Sequence, residues 1–163
     1  MKKNYVFLII SVFALLNIYS CKKDAIDASI VGKWRNFKTE FKVYNTSNTL
    51  VKDTTMINDA TDGSGNYRIF NNDGSFEYIS VISSAGFLQN DTTYRGKYSL
   101  GGTYLTLNYN HPPAGSGSGV DVITLQKTSM ELKDIYTTTG ESFLGLPSSN
   151  TYTYNAYVYF TRQ

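Results

Sequence analysis

Residues 66–80, NYRIFNNDGSFEYIS, contain the pattern that decides the fold. Asn72-Asp73-Gly74 is a tight-turn sequence, because Asp and Gly tolerate the positive φ angles that short hairpin turns need. On both sides of this turn, aromatic and β-branched residues alternate with polar ones. Such alternation is typical of strands that bury one face. The stretch therefore predicts a β-hairpin with strands at 66–71 and 75–83.

The same alternation continues in both directions from this hairpin, and no long segment after Ser29 has a helical period. The sequence is therefore predicted to be all-β from that point on. The eight predicted strands are Ile30–Tyr44, Asn66–Asn71, Ser75–Ser83, Thr92–Leu100, Thr103–Asn110, Val120–Lys127, Met130–Tyr136 and Thr151–Arg162.

The connections between these strands alternate strictly between long and tight. Gly101-Gly102 and Thr128-Ser129 are the other two tight turns. In an up-and-down antiparallel sheet, successive connections lie at opposite ends, so the long links share one rim. An even number of strands lets the first strand pair antiparallel with the last, which predicts a closed eight-stranded barrel without free edges. The long links are 45–65, 84–91, 111–119 and 137–150.

The first long link contains a segment, Thr49–Ile57, that could itself be extended. A ninth strand in the ring would prevent antiparallel closure. We therefore interpret this segment as a hairpin-like extension of the first two strands.

Alternation also predicts which side chains face the barrel interior. Trp34 is out of phase with the inward side chains that follow it, so we expect a β-bulge near Arg35-Asn36. The predicted inward set is Phe37, Phe41, Val43, Phe76, Tyr78, Ile82, Tyr94, Tyr98, Leu100, Leu105, Leu107, Tyr109, Met130, Leu132, Tyr152, Tyr154, Ala156, Val158 and Phe160.

The two ends of the predicted barrel resemble those of lipocalins. Gly32-Lys33-Trp34 is similar to the Gly-x-Trp that opens the first lipocalin strand, and Arg162 ends the last strand. The resemblance implies that Trp34 plugs the closed end and that Arg162 packs over it, a cation–π contact. With Asp-Gly-Ser-Phe (73–76) and Tyr-Phe-Thr-Arg (159–162), residues 29–163 resemble the lipocalin-like domain of Bacteroides-group lipoproteins, without the C-terminal helix of full lipocalins.

The N-terminus has the pattern of a lipoprotein signal peptide. Lys2 and Lys3 precede an uncharged 15-residue stretch, Tyr5–Tyr19, which is shorter than the roughly 20 residues that span a bilayer. Ile18-Tyr19-Ser20-Cys21 resembles a lipobox, which implies cleavage before Cys21 and acylation of this cysteine. The alternative is an ordinary secreted protein with one unpaired thiol. We predict a signal peptide at 1–20, a polar tether at 21–28 and the barrel domain at 29–163.

The predicted location follows from this segment. Acylated Cys21 would anchor the protein in the cell envelope as an outer-membrane lipoprotein. Cys-Lys-Lys-Asp (21–24) partly resembles the surface-export tag of Bacteroides-group lipoproteins, which suggests surface exposure. Because the tether enters the first strand at the tight-turn rim, we expect this rim to lie nearest the membrane.

The charge composition of the mature chain argues against nucleic acid as a partner. The full sequence has 15 basic and 13 acidic side chains, so removal of Lys2 and Lys3 leaves 13 of each and no net charge. Such a chain has no basic field to attract nucleic acid. Cys21 is the only cysteine, so the core must hold without disulfides. The oligomeric state is not indicated.

The long-link rim is the predicted ligand site. An eight-stranded barrel is either filled by side chains or just large enough for a small ligand. The apolar side chains of the 84–91 and 137–150 links could contact a small hydrophobic molecule, or they could form a local cluster that folds back on the barrel. The candidate ligand-binding residues are Phe87, Leu88, Phe143, Leu144, Leu146, Tyr98 and Tyr109.

The sequence contains no catalytic or metal-binding motif. His111 is the lone histidine, and no Gly-x-Ser-x-Gly or EF-hand pattern accompanies it. We therefore expect that the protein is not an enzyme and that it binds no cofactor or metal. Two functions remain open: a membrane-anchored binder of a small hydrophobic molecule, and a surface module that binds a protein or glycan through its loops.

Overall fold

The computed structural model describes residues 29–58, 64–84, 87–110, 118–141 and 144–163, and the side chains of all of these except 82–84, 87 and 89–92. The predicted signal peptide, Cys21 and the tether lie outside the described residues, as do His111 and Phe143. The strands are β1 (Gly32–Tyr44), β2 (Leu50–Ile57), β3 (Gly65–Phe70), β4 (Ser75–Ser84), β5 (Phe87–Gly101), β6 (Tyr104–Tyr109), β7 (Ser118–Leu125), β8 (Ser129–Thr139) and β9 (Thr151–Arg162).

Eight of these strands form a closed ring, which confirms the predicted all-β, up-and-down antiparallel barrel. Each strand from β3 to β9 pairs antiparallel with the next, and β1 pairs with β3 on one side and β9 on the other. The pairing of β1 with β9 runs from Trp34–Arg162 to Tyr44–Thr153. The ring therefore has no free edge along this seam.

The ninth strand, β2, extends the barrel wall without entering the ring. β1 is 13 residues long; its first residues pair with β3, and Lys38–Tyr44 pair with β2 on the same side. β2 thus continues the wall beyond the end of β3, in agreement with the predicted hairpin-like extension. Among the strands that the structure describes, β2 has a partner on one side only.

Two predicted connections differ from the structure. The three tight turns lie together at one end of the barrel, the closed end, where backbone hydrogen bonds close Asn71–Ser75 and Gln126–Ser129. At the opposite, open end, the predicted 84–91 loop is wrong. β4 runs to Ser84 and β5 starts at Phe87, so most of that segment is strand. β8 also extends three residues beyond its predicted end.

The closed half of the barrel is filled by an apolar core. Phe70 packs edge-on against Tyr98, with ring centroids 5.0 Å apart, and Phe76 packs in the same way against Tyr109 at 5.1 Å. Gly96 makes room for this packing, because a Cβ there would lie 2.7 Å from the Phe76 ring and 2.0 Å from a backbone oxygen. The buried members of this core are Ile30, Trp34, Phe70, Phe76, Leu105, Leu107, Val120, Val122, Leu125, Met130, Leu132 and Phe160.

A β-bulge in β1 moves one predicted core residue to the outer face of the barrel. The register between β1 and β9 shifts between Asn36 and Lys38, close to the predicted position. The bulged residue is Phe37, which was predicted to face inward. Its side chain is instead 38% exposed and packs outside the barrel against Tyr159, at 6.3 Å between ring centroids. Asn36 and Thr39, on the two sides of the bulge, are buried.

Candidate functional site

The interior changes character between the closed half and the open end. In the strands, the inward positions that follow the apolar core carry tyrosines, amides and two charged groups. We call this region the upper chamber. Its inward-facing members, assigned from strand register, are Asn66, Arg68, Tyr78, Tyr94, Tyr109, Asp134 and Tyr136.

A pocket of about 280 Å³ opens into the barrel wall beside this chamber. It lies where β1 changes partner from β3 to β2, so its walls come from all three strands. Two of its lining residues, Phe41 and Met56, are apolar, and the others are polar. The lining residues are Asn36, Thr39, Phe41, Met56, Asn58 and Asn66.

Hydrogen bonds hold the polar wall of the pocket in place. Asn36 Nδ2 donates to Thr39 Oγ1 at 3.1 Å, and Asn58 Nδ2 donates to Asn36 Oδ1 at 3.2 Å. Arg35 in turn donates to the backbone carbonyl of Asn58 at 3.4 Å. Because the bulge at Phe37 places both Asn36 and Thr39 inside, it creates this wall.

Arg68 lies at the floor of the upper chamber. It pairs with Trp34 on β1 and Tyr78 on β4, and its guanidinium carbon is 5.4 Å from the Phe160 ring centroid. Phe160 is paired with Asn36 across the seam, so the guanidinium crosses in front of β1 just below the pocket. Its Nη1 atom is buried and has no hydrogen-bond partner among the described residues. A buried, unpaired N–H group carries a desolvation cost.

The tyrosines around Arg68 form a connected aromatic wall. Tyr78 and Tyr94 lie 5.9 Å apart, and Tyr94 and Tyr109 lie 6.3 Å apart. The Tyr78 hydroxyl donates to Asn66 Oδ1 at 3.0 Å. Burial raises the pKa of Tyr78, although the nearby Arg68 charge opposes this shift.

Asp134 is the acidic group of the chamber. Burial raises its pKa above the usual value, and Arg68 and the Ile135 backbone N–H oppose the shift. No ion pair joins Asp134 to Arg68 among the described residues. Next to it, burial together with the Glu141 and Asp134 charges raises the pKa of Tyr136 to about 12. The chamber thus combines a cation, a carboxyl group of weakened acidity and neutral phenols.

The predicted ligand residues with described side chains are distributed over four places. Leu144 is buried and Leu146 partly buried in a cluster at the open end, packed on Phe41, Tyr152 and Tyr154. The 137–150 link therefore folds back onto the barrel there, as the second interpretation of this link proposed.

The remaining candidates lie apart from that cluster. Leu88 is on β5 and is 52% exposed, and only the backbone of Phe87 is described. Tyr109 faces the upper chamber. Tyr98 lies near the closed end, where its hydroxyl donates to the Asn71 carbonyl at 2.9 Å, so it is remote from the open rim.

The closed end has the arrangement that the lipocalin resemblance implies. Trp34 is fully buried, and its Nε1 donates to the Ile30 carbonyl at 2.6 Å. The Arg162 guanidinium carbon lies 5.1 Å from the Trp34 ring centroid, and its nitrogens donate to the carbonyls of Val31 and Lys127. Gly32 has φ +142°, and a Cβ there would lie 2.9 Å from Arg162 Nε. Both features favour glycine at this position.

Sequence analysis missed Arg68 and Asp134, although alternation could have found both. Arg68 is two residues before Phe70, and Asp134 is two residues after Leu132, so each shares a face with a core residue. The usual rule that charged residues mark the outer face of a strand assigns both to the wrong face.

A second, more polar cleft of about 580 Å³ lies outside the barrel, between the β1–β2 turn and the β8–β9 connection.

Among the residues that the structure describes, no His, Cys, Asp or Glu side chains group as a metal site would require. Nor does that part of the chain form any helix with the length and hydropathy to cross a bilayer.

Comparison with known proteins finds similarity to solved structures. A lipocalin-like protein from Bacteroides uniformis is similar, with a TM-score of 0.49 and 19% sequence identity over 82% of this chain and 98% of that chain. No protein-family model and no curated protein matches the sequence. By its own strand order, the chain forms a closed eight-stranded up-and-down antiparallel barrel, the architecture that lipocalins have.

Proposed function

We propose that this protein is a non-enzymatic, membrane-anchored lipoprotein that binds a small molecule in the upper chamber of its barrel. The observation that carries this proposal is the contrast within the barrel. Its closed half is solidly packed, whereas a pocket of about 280 Å³ adjoins the other half. That volume is near the lower limit for small-molecule sites, so the ligand is small.

The lining also indicates the kind of ligand. In the pocket, Phe41 and Met56 offer apolar surface, while Asn36 and Asn66 offer amide groups. A few polar groups in a mainly apolar site are the usual arrangement for orienting a ligand. The ligand is therefore mainly hydrophobic with one polar end.

Native mass spectrometry of the protein purified from its own host tests ligand binding. We expect a co-purifying small molecule that is released on unfolding. Thr39→Phe should exclude the molecule, because Thr39 is buried and lines the pocket. Thr55→Phe is the matched control, since Thr55 lies on the outer face of β2 and is exposed. Equal ligand occupancy in both variants, each folded, would place the ligand elsewhere.

The membrane anchor rests on the sequence at 18–21. Cys21→Ser should abolish incorporation of labelled palmitate and release the protein from the membrane fraction. Cys21→Ser protein that stays lipidated or membrane-bound would contradict this part of the proposal. Because the described chain enters β1 at the closed end, the anchored barrel would present its open end away from the membrane.

The second candidate function, a surface module that binds a protein or glycan, is favoured by β2. This strand has a partner on one side only, and it exposes Leu50, Val51, Met56 and Ile57. Exposed apolar side chains on a free strand edge suit the addition of an extended segment from a partner protein. Val51→Lys together with Ile57→Lys should abolish such binding while leaving small-molecule occupancy unchanged.

A further inference from the structure

The upper chamber has a charge arrangement that its apolar pocket does not explain. A guanidinium group is kept at the junction between the packed core and the pocket. Its Nη1 lacks a hydrogen-bond partner among the described residues. Of the surrounding groups, the Phe160 ring contributes only its face, at 5.4 Å. Arginine presents several donors in a planar fork that matches an oxyanion, so the unpaired donor is where an anionic ligand group would bind.

The pocket adjoins this position along β1 and β3. Trp34 and Arg68 are paired across β1 and β3. The next inward residues along the same two strands, Asn36 and Asn66, line the pocket. A ligand in the pocket would therefore have its inner end beside the guanidinium and its body against Phe41 and Met56.

The neighbouring groups favour one negative charge over two. Asp134 faces the same chamber and already brings one carboxyl group to it, and burial raises the pKa of this group. A dianion would add repulsion from Asp134 to its own desolvation cost. The Tyr78 hydroxyl already donates to Asn66 Oδ1 at 3.0 Å, so the free donor in the chamber is Arg68 Nη1.

We propose that the upper chamber binds a small monocarboxylic acid, with its carboxylate on Arg68 and its apolar body in the pocket between β2 and β3. This inference rests on the proposed small-molecule function and specifies its ligand class. The acid is no larger than the pocket and carries a single negative charge at its inner end.

The test compares acids with uncharged analogues of the same size. Isothermal titration calorimetry of the purified full chain would use decanoate with decanamide, and indole-3-acetate with indole-3-acetamide. We expect at least one acid to bind roughly 10- to 100-fold more tightly than its amide, the range for a charge-assisted hydrogen bond. Octyl phosphate at pH 8 distinguishes a phosphate site, and binding tighter than that of the acids would overturn the monocarboxylate assignment.

Variants locate the charge that is responsible. Arg68→Met should reduce the affinity for the acid to that of the amide, and Arg68→Lys should restore only part of the preference. Arg95→Met is the matched control, because Arg95 is 69% exposed on the outer face and pairs with Glu77. The difference in affinity between acid and amide is measured on the unmodified protein. The test therefore remains possible even if Arg68→Met does not fold.

The outcomes separate the two proposals. If an acid and its amide bind equally to the unmodified protein, the carboxylate inference is wrong and the small-molecule function stands. If a folded Arg68→Met variant keeps the preference, Arg68 is not the anion site. If neither acids nor amides bind and no small molecule co-purifies, both proposals fail.

Discussion

Removal of the Arg162 side chain should destabilise the barrel at its closed end. Its guanidinium lies 5.1 Å from the Trp34 ring centroid and donates to the carbonyls of Val31 and Lys127. One hydrogen bond reaches the start of β1 and the other reaches the β7–β8 turn, so a single side chain joins three parts of the rim. Arg162→Ala would lose all three contacts together.

The expected magnitude follows from these contacts. A hydrogen bond from a charged group contributes about 1.5 kcal/mol at the low end of its range, and water can partly replace the two lost here. A cation over an indole face adds about 0.5–1 kcal/mol. We therefore expect Arg162→Ala to lower the free energy of unfolding by about 2–4 kcal/mol. With a urea m-value of about 2 kcal/mol/M, the midpoint would shift by about 1–2 M.

The assay is urea unfolding followed by tryptophan fluorescence, because Trp34 is the one tryptophan in the chain and is fully buried. Arg162→Lys should recover less than half of the loss, since one ammonium cannot reach two separate carbonyls. Arg95→Ala, which removes an exposed ion pair with Glu77, should cost less than about 1 kcal/mol. If Arg162→Ala and Arg95→Ala shift the midpoint equally, Arg162 does not hold the closed end together.

Three further predictions concern the barrel interior. Gly96→Ala should reduce stability severely or prevent folding, because the new Cβ would lie 2.0 Å from the Asn108 carbonyl oxygen; Gly101→Ala, with nothing within 4 Å of its Cβ, should leave the thermal midpoint almost unchanged. Phe41→Ala should cost about 3–4 kcal/mol in urea unfolding and Phe37→Ala less than about half of that, since Phe41 is buried and Phe37 is on the outer face; equal costs would contradict the bulge. Asp134→Asn should stabilise the protein at pH 7, and this gain should shrink as the pH falls towards about 4. The reason is that a raised folded-state pKa makes ionisation of this aspartate destabilising, and protonation removes that cost below its pKa. A gain from Asp134→Asn that is independent of pH in urea titrations would show that Arg68, Tyr136 and the other chamber groups offset its burial.

The barrel architecture was predictable because its signals are local. Asp73-Gly74 specifies a hairpin whatever surrounds it, and Gly74 indeed has φ +76°. The alternation in β5 and β6 fixes the inward face of each strand by counting in twos. The ring closure followed from connection lengths and an even strand count, and the β1–β9 pairing confirms it.

Features that depend on distant partners were harder to predict. The 84–91 segment, SAGFLQND, contains Ser, Gly, Asn and Asp, which favour a loop. The strand state of most of it comes instead from pairing between β4 and β5. Phe37 is apolar and in phase with Phe41, so alternation alone places it inside. Its outward position depends on a bulge of one residue, which the sequence located only approximately.

Tyr78, Tyr94 and Tyr109 of the upper chamber were predicted to face inward, but its charged groups were not, because they look like surface residues in the sequence. Arg68 and Asp134 are charged, and charged side chains usually mark the solvent face. Alternation with Phe70 and Leu132 places both on the inward face, but only the ring pairing brings the two strands around one interior. The rim leucines Leu144 and Leu146 were identified as apolar, but their packing on Tyr154 and Phe41 depends on where the β8–β9 connection folds.

The pairing of β1 with β9 has a consequence for how the chain folds. Most other pairings in the ring join strands that follow one another, which can form quickly because little chain must be searched. The seam joins the two ends of the domain, and its Tyr159–Glu40 hydrogen bond spans 119 residues. We expect this seam to form last. Until it does, the domain is an open meander whose two edge strands have unpaired backbone groups. This is the stage at which chaperones would protect it from aggregation.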